Sequence, residues 1–293
     1  MYLIAGYILR NKMTQKLTLA VAQLSAGPTS PEDGLLRHLD FIDQARQLSA
    51  DLLVFPELSL TGYCLHERVP DVALRYSDDI ITQIAKASAG ITVTFSFIEE
   101  GEGALYYNSA ITIRDGSVLN LHRKINLATY GLLDEGKHFA CGEEVNAFAP
   151  VSKEDPWRAS TLICADHWNP LLLSLSALRG ANLLLAPIAS ASEAVGGGFS
   201  NPDGWRQNLG NSALTFGSYI LMSNWIGPQT DLNFWGGSCI VSPQGKALST
   251  ALDNECLITA IAEYSEVKKS RYLLPTLRDL NPHHFIREFS RKI

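Results

Sequence analysis

Short β-type runs that lead to a reactive side chain recur along this sequence and constrain its fold more than any other feature. Glu57 closes the apolar run that begins at Leu52, Lys124 follows the alternating residues 117–123, and Cys164 follows a third run. Runs of about four to eight such residues are typical of partly or fully buried strands. In open α/β sheets, ligands collect beyond the carboxyl ends of the strands. We therefore predict an α/β fold in which these three side chains converge on one pocket.

Signals for helices and strands alternate along the chain, as an α/β fold requires. Ser30-Pro31-Glu32 offers an N-cap, a first-turn proline and an early acid, and leucines recur on one face after it, which predicts a helix over 31–49. Asp115-Gly116 predicts a hairpin turn. Other predicted strands cover 17–24, 52–55, 92–98, 109–114, 160–164, 183–186 and 219–224 and flank Gln244-Gly245, and other predicted helices cover 170–179 and 205–216.

The three reactive residue types suit nucleophilic attack on an amide carbonyl. A cysteine needs a nearby base or cation because a free thiol is mostly protonated at neutral pH, and Glu57 is the candidate base. Attack builds negative charge on the carbonyl oxygen, and removing one fixed donor aimed at it typically costs about 100- to 1000-fold in rate. Lys124 and the backbone N–H of Ala165 are the candidate donors, which leaves Cys164 as the predicted nucleophile.

Several sequence blocks occur in order around these residues. They are Phe55-Pro56-Glu57 with Thr61-Gly62-Tyr63, Tyr107-Asn108-Ser109-Ala110, Arg123-Lys124 with Gly131-Leu132-Leu133-Asp134-Glu135-Gly136, Cys164-Ala165-Asp166, Ser223-Asn224-Trp225-Ile226-Gly227, and Gly236-Gly237-Ser238 with Ser242-Pro243-Gln244-Gly245. Together they resemble the nitrilase superfamily of carbon–nitrogen hydrolases over about residues 17–263. Any one block alone is a weak match, but their common order makes coincidence improbable.

The resemblance implies a fold and a set of roles. The fold is a four-layer αββα sandwich of the α/β class, and the site is a Glu–Lys–Cys triad. In this triad Cys164 attacks, Glu57 shuttles protons and Lys124 steadies the tetrahedral intermediate, while Glu135 matches a second glutamate that helps to position the lysine and the substrate. The family needs no metal, so no metal or other cofactor is expected. Its members commonly pair sandwich faces, so a homodimer or higher homo-oligomer is expected.

The residues after the cysteine bear on the choice of substrate. True nitrilases usually carry Trp and Glu there, whereas this chain carries Ala165 and Asp166, which favours an amide over a nitrile. Residues 129–135 and 164–168 are most similar to the glutaminase-like branch, which includes the amidase domain of glutamine-dependent NAD synthetase. The chain stops where the synthetase domain of those enzymes begins, so we expect a free-standing amidase. Asn126-Leu127-Ala128 stands where a Leu-Pro pair is common, so the loop after Lys124 is expected to differ.

Aromatic side chains are the candidate walls of the pocket, because amphipathic aromatics shape mostly apolar ligand sites. For each of them, an ordinary place in the core is the alternative. The candidates are Tyr63, Trp168, Phe199, Trp205 and Trp235. The predicted substrate-binding residues are Tyr63, Ala165, Trp168 and Trp205.

Composition restricts the class of partner. With 293 residues, 46% of them hydrophobic, the chain can bury a large core, and we expect one α/β domain rather than two small ones. A net charge of −6 gives no reason to expect a nucleic-acid partner, and no run reaches the roughly 18 apolar residues of a membrane span. The five cysteines lack metal-type spacing and no persuasive secretion signal precedes them, so a reducing cytoplasm is expected.

The two ends of the chain are expected to differ from the body. Residues 1–14 are predicted to be a loosely ordered extension, so trimming to Met13 should leave thermal unfolding and activity intact. Residues 15–263 are predicted to form the hydrolase domain. Residues 264–293 are more basic than the body and form either part of a subunit interface or a solvated tail.

Three other motifs have competing interpretations. Gly196-Gly197-Gly198 lacks the spacing and the lysine of a phosphate-binding loop, so it is interpreted as a flexible loop that borders the pocket. His283-His284 lacks a third partner for a metal and is interpreted as exposed. Asp166-His167 after Cys164 offers a Cys–His–Asp protease as an alternative, but it is disfavoured because side chains so close along an extended segment usually point in different directions.

The leading hypothesis is hydrolysis of a small primary amide through a thioester on Cys164, with release of ammonia. Within the same family, the alternatives are an N-carbamoyl amidohydrolase, a nitrilase, or acyl transfer to an amine. From another class, the alternative is a catalytically silent scaffold that binds a small molecule or a partner, because fold alone does not fix function.

Overall fold

Two β-sheets packed face to face form the centre of the protein. The computed structural model describes residues 15–25, 27–28 and 30–291. The predicted extension over residues 1–14 lies outside the described residues. The strands of the described part are β1 (Lys16–Ser25), β2 (Leu52–Val54), β3 (Thr92–Glu100), β4 (Tyr106–Arg114), β5 (Ser117–Arg123), β6 (Ala159–Thr161), β7 (Leu183–Pro187), β8 (Tyr219–Ser223), β9 (Trp225–Gln229), β10 (Leu232–Trp235), β11 (Cys239–Val241), β12 (Ala247–Thr250) and β13 (Cys256–Glu263).

The larger sheet has eight strands in the order β10-β9-β1-β2-β3-β4-β5, with β13 also paired to β1. Strands β1, β2 and β3 are parallel, β4 reverses the direction, and β5 reverses it again. The carboxyl ends of β2 and β5 therefore lie at the same edge. The turn between β4 and β5 is the predicted Asp115-Gly116 hairpin, in which both residues have positive φ, of 50° and 77°.

The smaller sheet has five strands in the order β12-β11-β8-β7-β6. Strands β6, β7 and β8 are parallel, while β11 and β12 form the antiparallel edge. Leu19 and Leu52 of the larger sheet pack against Leu183 and Leu221 of the smaller one, and all four are fully buried. This interface is a continuous apolar layer, which explains why the central strands are rich in aliphatic residues on the facing sides.

Helices cover the outer face of each sheet, which completes the predicted αββα sandwich and confirms it. Helices α1 and α3 pack on the larger sheet, and α5 and α6 pack on the smaller one. Among residues 15–25, 27–28 and 30–291, short 3-10 turns occupy His66–Arg68, Glu102–Ala104 and Cys164–Trp168. The helices of the described residues are α1 (Pro31–Gln47), α2 (Val69–Val72), α3 (Asp79–Ala87), α4 (Glu135–His138), α5 (Pro170–Leu178), α6 (Asn201–Phe216), α7 (Tyr264–Leu273), α8 (Thr276–Asp279) and α9 (Pro282–Ser290).

Local capping explains where the structure agrees with the sequence pattern and where it differs. The Ser30 hydroxyl accepts a hydrogen bond from the Asp33 N–H at 3.3 Å, as the predicted N-cap requires. Helix α6 begins at Asn201, four residues before the predicted start, because Ser200 caps it and Pro202 occupies its first turn. Strand β6 ends at Thr161, three residues before the predicted end at Cys164.

The first helix of the predicted tail packs on the body. Val267 of α7 is 1% exposed, and the Arg271 guanidinium donates to the Ala181 carbonyl at 2.6 Å and to the Phe216 carbonyl at 3.1 Å. The domain boundary at residue 263 stays a prediction. Among the described residues, no helix combines the length and the apolar character needed to cross a bilayer.

Candidate active site

Glu57 lies just beyond β2, where the edges of the two sheets meet. Its backbone N–H donates to the carbonyl of Ile188, which follows β7 of the smaller sheet, at 3.2 Å. Its own carbonyl accepts a hydrogen bond from Nε1 of Trp225, in β9 of the larger sheet, at 2.8 Å. The backbone of the predicted base is therefore held by both sheets, and its side chain is fully buried.

Lys124 follows β5 directly and points its ammonium at two carboxylates. Nζ lies 2.6 Å from Oε1 of Glu57 and 2.7 Å from Oε2 of Glu135, and the lysine side chain is fully buried. The Lys124 N–H donates to the carbonyl of Asn108 on β4 at 2.8 Å, which fixes where the side chain starts. A buried ammonium with two carboxylates 2.6–2.7 Å away is fully ion-paired.

Glu135 begins α4 and is 5% exposed. Besides Lys124, its carboxylate accepts from the Tyr63 hydroxyl at 2.9 Å and from the Ala128 N–H at 2.9 Å. The Ala128 contact closes the loop that follows Lys124 back onto Glu135. The structure thus brings together the two glutamates and the lysine that the sequence analysis selected.

Cys164 begins a 3-10 turn with a positive φ of 44° and is 8% exposed. Only a few per cent of non-glycine residues adopt a positive φ. The Asp166 carboxylate fixes the turn by accepting from the Ile163 N–H at 3.1 Å, and it accepts from the Asn126 N–H at 2.7 Å. His122 Nε2 lies 2.8 Å from the same carboxylate. Asp166 therefore ties the thiol turn to the strand and loop that carry Lys124.

The pKa shifts in this cluster set the resting protonation of the thiol and of its candidate base. Burial, opposed by the Lys124 ammonium, raises the pKa of Glu57 to about 7. Burial disfavours the Lys124 ammonium, but attraction to Glu135 and Glu57 outweighs burial and keeps its pKa well above the ordinary value. Burial and the Glu57 charge raise the pKa of the Cys164 thiol well above its ordinary value. The resting pair is therefore a neutral thiol beside a carboxylate whose pKa is near neutral pH.

A cavity of about 280 Å³ opens beside the thiol. Trp168 and Trp205 line it as predicted for wall residues, with ring centroids 5.1 Å apart. Phe199 joins them, and the glycine loop 196–198 lies at this border, between two lining residues. The lining residues are Tyr130, Leu133, Cys164, Trp168, Ala189, Ser190, Ala194, Val195, Phe199, Asn201 and Trp205.

Three of the other residues selected from the sequence lie elsewhere. Tyr63 lines a neighbouring cavity of about 190 Å³ and supports Glu135 through its hydroxyl. The Trp235 Nε1–H donates to the hydroxyl of Ser190 at 2.9 Å, and Ser190 lines the cavity whereas Trp235 does not. His167 is buried with a pKa lowered by burial to about 4, and none of the described residues hydrogen-bonds either ring nitrogen. Ala165 is 6% exposed beside the thiol.

Asn108 is a site residue that the sequence analysis names only inside a block. Its Nδ2 donates to Oε1 of Glu57 at 2.7 Å, and Lys124 approaches the same oxygen. Within the described part of the chain, nothing hydrogen-bonds the buried second oxygen, Oε2 of Glu57. The signal available in the sequence is an asparagine inside a strand, a position where asparagine is uncommon.

One group of side chains outside the triad has the chemistry to hold a metal. His66, Asp134 and His138 each offer one ligand atom, and these atoms lie within 4.8 Å of one another. The group borders the cavity that Tyr63 lines, not the cavity of Cys164. His283 and His284 are exposed on α9, as predicted.

Two kinds of known enzyme are similar in sequence to most of this chain. Glutamine-dependent NAD(+) synthetase from Thermotoga maritima is 29% identical over 276 residues, which cover 92% of this chain and 46% of that protein. N-carbamoylputrescine amidase from Solanum lycopersicum is 29% identical over 202 residues, 66% of each chain. This chain therefore spans about half the length of the NAD(+) synthetases that it matches.

Solved structures give the same fold. Glutamine-dependent NAD+ synthetase from Acinetobacter baumannii, in complex with ADP, superposes with a TM-score of 0.75 at 26% identity and covers 86% of this chain and 46% of that one. A carbon-nitrogen hydrolase from Helicobacter pylori superposes with a TM-score of 0.81 at 21% identity, covering 94% of this chain and 98% of that one.

A family model supplies the assignment. The model described as carbon-nitrogen hydrolase matches residues 18–272, which include most of β1, every later strand listed above and nearly all of α7. The match confirms the resemblance drawn from the sequence blocks. The chain therefore belongs to the carbon–nitrogen hydrolase family of enzymes, within the nitrilase superfamily.

Proposed function

We propose that this protein hydrolyses a small primary amide through a thioester on Cys164 and releases ammonia. The observation that carries the proposal is the free oxygen of Glu57. Among the described residues, Oε1 of Glu57 is occupied by Lys124 and Asn108, while the buried Oε2 has no hydrogen-bond partner. An unpartnered buried acceptor is costly in a native structure, so it points to a function. Accepting the thiol proton is that function.

The first half of the reaction forms the thioester. Glu57 takes the proton of Cys164 as the sulfur adds to the amide carbonyl, so no standing thiolate is needed, in keeping with the raised pKa of the thiol. An ammonium has three N–H donors, and Glu57 and Glu135 occupy two of those on Lys124. The third and the Ala165 N–H hold the oxyanion. Collapse of this intermediate breaks the C–N bond, and ammonia leaves with the proton from Glu57.

The second half of the reaction releases the acid. Water adds to the thioester carbonyl while Glu57 takes its proton, and the same donors hold the second oxyanion. Collapse breaks the C–S bond, and the thiol recovers its proton from Glu57. Glu135 acts by keeping the ammonium of Lys124 in place, because its carboxylate is itself fixed by Tyr63 and Ala128.

A carbamoyl compound is the second candidate within the same chemistry. The relative named N-carbamoylputrescine amidase supports it, while the relatives named glutamine-dependent NAD(+) synthetase support an amide. The two candidates give different products. Ammonia with carbon dioxide indicates a carbamoyl substrate, whereas ammonia with a carboxylic acid indicates an amide.

The deciding experiment is an ammonia assay on a panel of amides, ureido compounds and nitriles, with intact-mass detection of the covalent adduct. We expect turnover of amides and an acyl adduct on Cys164. Cys239 is the matched control, because it is also 8% exposed but lies on β11 outside the cavity lining. Cys164→Ala should lose both signals and Cys239→Ala should keep both. Ammonia release that survives Cys164→Ala would exclude the thioester. If all five cysteines reacted with iodoacetamide at equally slow rates, a catalytically silent scaffold would be favoured.

We further propose a homo-oligomer in the cytoplasm, with the small amide as ligand and without a nucleic-acid or membrane partner. The five free cysteines support a reducing compartment. Exposed apolar side chains near the C-terminus support a subunit contact, since Tyr272 is 85% and Ile286 is 62% exposed. Sedimentation of the full chain tests this, and a monomer at all concentrations would contradict it.

A further inference from the structure

The cavity beside Cys164 has a wall made almost entirely of carbon. Trp168 stands between Phe199 and Trp205, with ring centroids 6.1 Å and 5.1 Å away. Trp205 is 2% exposed, and Val195 and Leu133 complete the apolar surface. Such a wall gains free energy by removing apolar ligand surface from water.

The polar groups in the lining are few and largely engaged. Asn201 donates its amide to the Ala191 carbonyl, and the Ser190 hydroxyl accepts from Trp235 at 2.9 Å. Burial raises the pKa of Tyr130 to about 12, which keeps its hydroxyl neutral at physiological pH. The described lining residues therefore offer no charged side chain to a ligand.

Charges next to the cavity are already paired with one another. Lys124 contacts Glu57 and Glu135, and Glu135 also accepts from Tyr63 and Ala128. A charged group on the acyl part of a substrate would therefore lose part of its hydration in the cavity without gaining a charged partner. Such a group binds less favourably than an uncharged group of similar size.

We propose that the acyl part of the substrate is uncharged and apolar, so that the enzyme prefers primary amides of branched aliphatic or small aromatic acids over amides of charged acids. The volume of about 280 Å³ lies just below the range of about 300–1,000 Å³ that is typical of ligand sites, which limits the acyl group to a small one. The inference rests on the proposed amidase function and specifies its substrate class.

A matched pair of amides tests the inference. Isovaleramide and succinamate have acyl groups of similar size, but only succinamate carries a charge, and acetamide and glutamine extend the set. We expect kcat/KM for isovaleramide to exceed that for succinamate and glutamine by about 100-fold or more and that for acetamide by about 10-fold. Equal or faster turnover of succinamate or glutamine would overturn the inference and leave the amidase function standing. Failure of every amide to release ammonia would overturn the amidase function and the inference with it.

A charge placed in the wall provides a second test. Val195 is half-buried beside the glycine loop, so a longer side chain can be accommodated there. In Val195→Lys, the ratio of kcat/KM for succinamate to that for isovaleramide should rise at least about 10-fold, because the ammonium pairs with the carboxylate. Leu252→Lys, at a residue that is 76% exposed and outside the lining, is the control and should leave the ratio unchanged. An unchanged ratio in Val195→Lys would contradict the assignment of this cavity to the acyl group.

Discussion

The two sides of the candidate site are built differently. On one side, Glu57 and Lys124 are fully buried and Glu135 is 5% exposed, and each has hydrogen bonds that fix its position. On the other side, Trp168 is 38% and Phe199 is 44% exposed. The charged side is rigid and dry, whereas the aromatic side is partly open to water.

This difference separates reactivity from selectivity. The charged side is carried by strand ends and their first loops, so its geometry is inherited from the two sheets. The aromatic side comes from the turn after Cys164, the glycine loop and the start of α6, so it can change without disturbing the sheets. Substitutions on the charged side should therefore change the rates for all substrates. Substitutions on the aromatic side should change which substrates are preferred.

The sharpest test of the charged side is loss of the nucleophile. Cys164→Ala should lower kcat for the best amide by about 10⁶-fold, the size seen when a covalent nucleophile is removed. Thermal unfolding should change little, because alanine fits the space of the thiol. Ammonia release and intact mass give the readout, and residual turnover within about 100-fold of the wild type would contradict the assignment.

The next largest effect concerns the base. Glu57→Gln preserves the acceptor for Lys124 and Asn108 but removes the proton acceptor, so kcat should fall by about 10²- to 10⁴-fold. Because the pKa of Glu57 is about 7 and the base acts as its carboxylate, wild-type kcat/KM should rise with pH through about 7 and level off above it. This rise of kcat/KM with pH should be absent in Glu57→Gln. If the variant still showed the rise, the titration would belong to another group.

A third test concerns Asp166, which links the turn of Cys164 to the loop that follows Lys124. The Asp166 carboxylate accepts backbone N–H groups of Ile163 and Asn126, so Asp166→Asn would turn one acceptor into a donor that faces them. We expect the free energy of unfolding to fall by about 3 kcal/mol. Denaturant unfolding gives the readout, and Asp43→Asn is the control, since the side chain of Asp43 is 67% exposed and pairs with Arg46 on the surface. Equal free energies of unfolding for the two variants would show that the hydrogen bonds of Asp166 do not stabilise the fold.

The smallest effect should come from the hydroxyl of Tyr63. Tyr63→Phe removes one donor to Glu135 and leaves the contacts of that carboxylate to Lys124 and Ala128. We expect kcat/KM to fall by about 10-fold for every amide, without a change in their order, because a hydrogen bond to a charged group is worth about 1.5–3 kcal/mol. Tyr76→Phe, at a residue that is 59% exposed, is the control. A change in substrate order would place Tyr63 in the wall instead.

Local pattern predicts the parts of the fold whose signals are local. The apolar run of β7, the alternation of β5 and the Ser30 N-cap of α1 are readable from neighbouring residues and match the structure. The end of β6 cannot be read from neighbouring residues. The turn that follows the strand depends on Asp166 and on its hydrogen-bond partners in the segment around Asn126. Strand β13 is also missed, since what makes it a strand is pairing with β1, more than 200 residues earlier in the chain.

The candidate site divides in the same way. Glu57, Lys124 and Cys164 follow strands, so their convergence is predictable from strand ends, and the resemblance supplies Glu135. The donor role of Asn108 depends on the pairing of β4 and β5, which places Lys124 beside it. The part of the wall formed by Val195 and Phe199 depends on the path of the glycine loop, in which all three glycines have positive φ. The periodicity of apolar residues in the sequence does not predict that path.

The pairing of β1 sets the order in which the support of Glu57 can form during synthesis. This strand lies between β2, which the ribosome makes soon afterwards, and β13 with β9, which it makes much later. Contacts of such large sequence separation form late and slowly. A nascent chain that has already exposed Cys164 outside the ribosome therefore still lacks the indole of Trp225 that holds the Glu57 carbonyl. The backbone support of Glu57 is therefore complete only after β9 has been made and has paired with β1.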